Sequence, residues 1–485
     1  MAERPNFLVI MSDQHNRRNL GCMGDAIIRT PNLDRLAAGG TVFEHTYCAS
    51  PLCVPSRMTF LTGRHCSEIE VWTNGCMLAS DIPTFAHALG VAGYEAVLGG
   101  RMHFVGPDQR HGFERRIIGD VLCPFPGGPP PGLGAALRGT TGQSRRAVEV
   151  AGPGRTAYQA YDVAVTDACC RYLEGRDRAE DDRPFCLVMG YVLPHCPFVC
   201  PKALYDEYYD QIEIPRMPEG YMDRLHPAIR FWREKRGVNG LSDETVRKAR
   251  AAYYGLVTFM DEQIGRVLSA LASSSFGDHT VVVYTSDHGE MGGEHGMWWK
   301  SSFYEGSAGV PMIWAGPGQV AEGRRVSAVT SLLDIGATAI DLAGGEPLPG
   351  ASGRSLRGFL EDGRVTGWPD VAFSENVSAR EAPGRMIRQG DWKLNRYHGY
   401  DAPQLYNLAE DPEEFEDRAD DAGCADVKAE LLARVREGWD GEAVQNRLDS
   451  RAEGRDVIRQ WAGTVAHDLS DFWQAPPGCN TFPEG

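Results

Sequence analysis

An α/β fold built on a large, mostly parallel central sheet is what the sequence predicts, and three observations carry that prediction. Continuous apolar runs recur at Asn6 to Ser12, Phe185 to Val192 and Thr280 to Thr285, each bounded by polar residues. Such runs suit inner strands covered on both faces, whereas half-exposed strands alternate. Segments with helix-start signals lie between them. Polar residues able to do chemistry follow directly after the runs, where open α/β sheets place their ligand sites.

Each element has its own warrant. Pro31 to Ala38 opens with proline in its first turn, where the missing N–H is harmless. Pro55 likewise predicts a helix from about Pro55 to Leu61, with Cys53 at its N-terminus. Ser242 caps a long helix running to about Leu271, with Asp243 and Glu244 in its favourable first turn. Another helix is expected over Ser331 to Leu342. The run Pro124 to Gly134 is too rich in proline and glycine for either element and reads as a surface loop. Strands around Met386–Ile387 and Trp392–Leu394 suggest a smaller C-terminal unit, so a boundary is set near residue 365, dividing the chain into 1–365 and 366–485. The tail from about Val427 holds helical stretches and then the loop-like Trp473 to Pro477. No internal repeat is visible.

Composition narrows the function. The 485 residues, 42% of them hydrophobic, can bury a large core. A formal net charge of -17 argues against a nucleic-acid partner, which needs a basic footprint. An anionic ligand would meet a repulsive long-range field, so its site must be locally positive. Thirteen scattered cysteines, and an apolar run of only Phe7 to Met11 near the start, predict a reducing, cytoplasmic setting with no membrane span. The adjacent Cys169 and Cys170 read as small buried groups.

Asp13, His195 and the pair Asp287–His288 each fall just past a predicted strand end, so three remote segments converge on one rim. Asp13, Gln14, Asp287 and His288 offer oxygen donors and one imidazole. An oxygen-rich set favours Ca²⁺, Mg²⁺ or Mn²⁺, and the imidazole moves preference towards Mn²⁺. Cys53 at a helix N-terminus stands where developing negative charge is stabilised. Arg57, Arg101, His103, His195 and Lys300 are the candidate cationic groups for an anionic substrate.

The pentapeptide Cys53-Val54-Pro55-Ser56-Arg57, followed by Leu61-Thr62-Gly63-Arg64, resembles the motif in which type I sulfatases oxidise cysteine to formylglycine. The resemblance to the sulfatase branch of the alkaline phosphatase superfamily runs on through Thr30 to Ala37, Gly296 to Lys300, Ser331 to Asp334, Gly390 to Leu394 and Leu405 to Leu408. Met102 to Gln109 and His111 to Phe113 are most similar to choline sulfatases and their bacterial relatives, and Asp13-Gln14 with Asp287-His288 also resembles phosphonate monoester hydrolases.

The resemblance implies an alkaline-phosphatase-like sandwich with a short antiparallel C-terminal sheet. It implies one divalent metal, calcium or alternatively manganese, on Asp13, Gln14, Asp287, His288 and the modified Cys53. Arg57 would brace the hydrated aldehyde, Lys300 and His195 would hold the sulfate and protonate the leaving oxygen, and His103 would take the proton in the second step. It further implies a formylglycine-generating enzyme during maturation and a homodimer or homotetramer. The expected activity is hydrolysis of an aryl or small alkyl sulfate monoester; the alternatives are a phosphonate monoester or phosphodiester hydrolase, or a binding protein with Cys53 reduced. Two features depart from the pattern. Arg101 stands where the family usually has lysine, keeping the charge but not the point geometry. The region Phe125 to Arg155 lacks the tryptophans of choline sulfatases, so an aromatic cage for a trimethylammonium group has no counterpart.

Overall fold

The computed structural model describes residues 4–121, 137, 139–177, 179–377, 382–465 and 472–483. The expected loop Pro124 to Gly134 lies outside them. Eight strands form the central sheet: β1 (Asn6–Asp13), β2 (Gly40–Tyr47), β3 (Glu95–Gly100), β4 (Arg115–Ile118), β5 (Phe185–Pro194), β6 (Thr280–Ser286), β7 (Gly309–Ala315) and β8 (Arg324–Ser331). Their order across the sheet is β8-β2-β7-β6-β1-β5-β3-β4. All neighbours run parallel except β7, which is antiparallel to both β2 and β6.

The apolar runs work as inner strands because both faces are covered. Leu8 and Ile10 of β1 face one layer, with Val165 of helix α3 (Ala157–Glu174) and Val257, Met260 and Ile264 of helix α4 (Asp243–Ser273). Phe7, Val9 and Met11 face the other, with Val54, Met58 and Leu61 of helix α2 (Cys53–Thr62) and Ile335 and Ala339 of helix α5 (Leu333–Leu342). Helix α1 spans Pro31–Ala38 as its proline predicts. Ser242 caps α4, its hydroxyl accepting from the Thr245 N–H at 3.2 Å.

Two helix starts differ from expectation. Helix α2 begins at Cys53, because Ser56 N already donates to Leu52 O at 2.9 Å. Pro55 is tolerated there because N–H groups of a first turn have no intrahelical partner. Helix α5 begins at Leu333, since Ser331 still pairs with Tyr47 as the last residue of β8. Asp334 then turns back to accept from the Ser331 N–H at 2.8 Å.

A second, antiparallel sheet follows: β9 (Val371–Asn376), β10 (Gly384–Gln389), β11 (Trp392–Tyr397) and β12 (Gln404–Asn407). Ile387, Leu394 and Leu405 pack there with Leu431 and Val435 of helix α6 (Ala425–Arg436). Buried Lys393 ties this sheet to the larger one, with Nζ 2.9 Å from Glu305 and 2.6 Å from Glu414. Helices α7 (Gly441–Ser450) and α8 (Ala452–Thr464) lead into the tail. No helix among the described residues is long and apolar enough to cross a membrane. Cys169 and Cys170 are both free thiols.

One buried and one half-buried histidine contribute acid sensitivity to this fold. His295 stacks on Tyr304 with ring centroids 3.9 Å apart, and burial, reinforced by Arg18 and Lys393, pushes its pKa down to about 3. Burial with nearby Arg385 likewise lowers His65 to about 3. Both stay neutral in the fold but take a proton when the chain unfolds below about pH 6.5. At these two sites the unfolded state therefore binds more protons in that window, and their contribution to stability falls with falling pH. Their contribution is complete above about pH 6.5 and is lost towards the folded values near 3, with a slope of at most about 2.7 kcal/mol per pH unit for two groups. The urea midpoint measured from about pH 7 to 4.5 is expected to drop less, relative to its pH 7 value, in His65→Gln or His295→Gln than in wild type. An identical slope in both variants would contradict this account.

Candidate active site

The carboxyl ends of neighbouring parallel strands converge here. Ser12 pairs with Ser286 between β1 and β6, and Asp13 with Pro194 between β1 and β5. Asp13, the turn Asp287–His288 and, just past β5, His195 therefore arrive together. Cys53 joins them from the first residue of α2. Its Sγ lies 3.2 Å from His288 Nε2 and 3.6 Å from Asp13 Oδ1. One ligand atom from each of Asp13, Cys53, Asp287 and His288 falls within 4.8 Å of all the others, every residue buried.

Each carboxylate in the cluster divides its work. Asp13 Oδ2 accepts from Arg101 Nε at 2.7 Å and from Arg57 Nη2 at 3.4 Å, while Oδ1 faces the cysteine. Asp287 Oδ2 accepts from Arg57 Nε at 2.8 Å, and its Oδ1 lies 3.5 Å from His288 Nε2. Arg57 spends its other donors on Arg101 O and Ser12 O, at 2.8 and 3.3 Å. Burial alone would raise the Asp13 pKa, but Arg101, His195, Lys300 and Arg57 outweigh it and hold the carboxyl well below the usual range.

Hydrogen bonds fix the histidine tautomers. His288 Nδ1 lies 3.0 Å from Gly289 O, which can only accept, so Nδ1 carries the proton and Nε2 turns its lone pair to the cluster. His195 Nδ1 donates to Cys196 O at 2.7 Å, which leaves Nε2 without a proton and the ring in contact with Cys53. His103 is the reverse: Arg101 Nη2 lies 2.9 Å from its Nδ1, and a guanidinium can only donate, so the proton sits on Nε2. Burial lowers the pKa of all three, helped at His103 by Arg101 and at His195 by Lys300, so all are neutral near pH 7. Lys300 Nζ donates to Gln14 Oε1 at 2.6 Å; burial alone would lower its pKa, but the carboxylates of Asp13 and Asp287 oppose this and the net shift is upward, so it stays cationic.

All the residues expected from the sequence thus gather in one buried cluster. Sequence reasoning missed the groups that aim them. Glu290 accepts from Gln14 Nε2 at 2.6 Å and from the Trp299 and Gly292 N–H groups at 2.6 and 2.8 Å, fixing which end of the Gln14 amide faces Lys300. Asp120 accepts from the Met102 and His103 N–H groups at 3.2 and 2.8 Å. Asp162 accepts from Val192 and Leu193, both at 2.9 Å, and shapes the approach to His195. Gly190 has a steric reason to lack a side chain: a Cβ there would lie 1.7 Å from Arg101 O, the atom that holds Arg57. Of these, Glu290 alone had a sequence signal, its place two residues after His288.

The clustered donors fit a divalent cation: the carboxylates of Asp13 and Asp287, an imidazole whose free nitrogen is already turned inward, and the Cys53 position.

Comparisons with known proteins agree with this geometry. The family model "Sulfatase" matches residues 5–345, and "N-sulphoglucosamine sulphohydrolase, C-terminal" matches 293–439. The choline-sulfatase of Rhizobium meliloti (strain 1021) is 35% identical over 456 residues, covering 91% of this chain and 88% of that one. Arylsulfatase K of Danio rerio is 29% identical, covering 85% and 80%. The crystal structure of the phosphonate monoester hydrolase of Agrobacterium radiobacter superposes with a TM-score of 0.73 at 27% identity, covering 90% of this chain and 96% of that one. A family model spanning most of the chain, and a relative of such identity along nearly its whole length, lead to one assignment: the chain belongs to the sulfatase family of the alkaline phosphatase superfamily and is a sulfatase.

Proposed function

We propose that this sulfatase hydrolyses an aryl or small alkyl sulfate monoester with a nucleophile made from Cys53. The observation that carries the reading is the place of Cys53 Sγ, at the start of α2 and beside Asp13 and His288. Formylglycine at this position, once hydrated, would supply a hydroxyl nucleophile and a second hydroxyl whose deprotonation releases the sulfate. Asp13, Gln14, Asp287 and His288 would hold one divalent cation, calcium or manganese, which lowers the pKa of a bound hydroxyl and neutralises sulfate oxygens.

The remaining roles follow from protonation states. Lys300, cationic and buried, offers its Nζ proton to the leaving oxygen. His195, neutral with an unprotonated Nε2, is the acceptor for the second-step proton. The family resemblance assigns that acceptance to His103, but Arg101 occupies the only lone pair of its neutral ring. His103 Nε2–H therefore serves as a donor to the anion. Arg101 braces Asp13 and sets this polarity, which a lysine would not impose in the same fixed geometry.

The substrate test compares kcat/KM for an aryl sulfate and an aryl phosphonate monoester. The sulfate is expected to be preferred, and a preference for the phosphonate would install the alternative. His195→Gln is expected to lower kcat by about 10²- to 10⁴-fold, with about one equivalent of phenol released in a burst before turnover stalls, as for a blocked second step. A His195→Gln enzyme with normal kcat, or a burst confined to His103→Gln, would overturn the proton assignment.

A further inference from the structure

Tyr158 is a buried polar residue that the mechanism above does not use. It lies in the first turn of α3, with none of its surface exposed. Its ring meets the His195 ring edge-on, with centroids 6.1 Å apart and planes at 74°. Its hydroxyl is buried with no hydrogen-bond partner. An unsatisfied buried hydroxyl carries a real cost, and such groups in native proteins call for a specific reason. Arg101 Nη1, also buried in this site, makes no hydrogen bond and lies 3.7 Å from Asp120 Oδ1. Arg101, Asp13 and Cys53 are close enough to Tyr158 to influence its phenol electrostatically.

An unpaired hydroxyl on a ring packed against His195 suits an anion with several acceptor oxygens. We propose that the Tyr158 hydroxyl contacts the substrate, donating a hydrogen bond to an oxygen of the bound sulfate group. Burial raises the phenol pKa, which keeps it protonated and able to donate at any working pH. The edge-on contact with His195 fixes the ring, so the hydroxyl is aimed before substrate arrives and pays little ordering entropy on binding. Loss of the contact should weaken ground state and transition state alike if the oxygen it holds keeps its charge, and mainly the transition state if that charge grows.

The inference rests on the sulfate-binding role proposed for this site. Tyr158→Phe keeps the ring and removes one oxygen, so it is the variant to measure in the matured, metal-loaded enzyme. The expected result is a fall of about 10- to 100-fold in kcat/KM for para-nitrophenyl sulfate, the range of a lost hydrogen bond to a charged group. The Kd of inorganic sulfate, measured calorimetrically, should weaken alongside, while Tm stays level or rises because an unsatisfied hydroxyl has gone. A variant with kcat/KM and sulfate Kd both within about twofold of wild type overturns the proposal. So does a loss of activity that comes with a lower Tm and unchanged sulfate binding, since that marks a structural role. Wild-type turnover of the same ester reports separately on the sulfatase reading, because sulfate binding can be compared between the two proteins whether or not turnover occurs.

Discussion

Cys53→Ala is expected to lower kcat for an aryl sulfate by at least about 10⁴-fold while leaving substrate affinity within about threefold, as removal of a nucleophile does elsewhere. The asymmetry arises because Cys53 contributes one atom to the cluster, whereas Asp13, Asp287 and His288 and the surrounding cations remain. The fold should tolerate the change, since the substituted side chain is the first of a helix whose other contacts are untouched. Steady-state kinetics with Kd for inorganic sulfate separates the two effects. A variant that keeps more than about a tenth of wild-type kcat would show that another group attacks sulfur.

Arg57→Met should be the most destabilising single change in the site. Arg57 is fully buried and donates to Asp287, Asp13, Arg101 O and Ser12 O. Removing it leaves two buried carboxylates facing each other across the cluster, with Arg101 and the more distant Lys300 to offset Asp13. Breaking a buried pair in this way costs about 3–5 kcal/mol. The cost is expected in full in chelator-treated protein, as a lower urea midpoint, and to shrink when a divalent cation is restored, because the cation replaces part of the lost positive charge. Equal midpoints for variant and wild type in chelator would show that Arg57 is not what holds the carboxylates together.

Strands β1, β5 and β6 were legible because they are unbroken apolar runs, and unbroken runs announce burial on both faces; β2 and β3, broken by polar residues and glycines, were not. Burial on both faces also hid the direction of β7: Gly309–Ala315 is buried throughout, and a wholly buried strand reads alike whichever way it runs. The site was legible where chemistry sits at a strand end, as with Asp13, His195 and Asp287–His288, or in a specific motif, as with Cys53 and Arg57. What stayed hidden were single buried polar residues in otherwise ordinary elements. Asp162 reads as one acid on a helix, and its partners, Val192 and Leu193, lie on a strand that only the fold brings near. Tyr158 reads as one more aromatic on the apolar face of a helix. Arg101 was visible as a departure from the family pattern. Its consequence for the His103 tautomer depends on a 2.9 Å contact that spacing does not reveal.

The central claim is that Cys53 is the precursor of the nucleophile, and peptide mass across Cys53 tests it most directly. Protein produced with and without a formylglycine-generating enzyme should differ at this peptide by about 18 Da, the loss expected when a thiol becomes an aldehyde. Across preparations of intermediate conversion, kcat for an aryl sulfate should rise in proportion to the converted fraction and extrapolate to zero for the thiol. Full activity in protein whose Cys53 is entirely thiol would contradict the account.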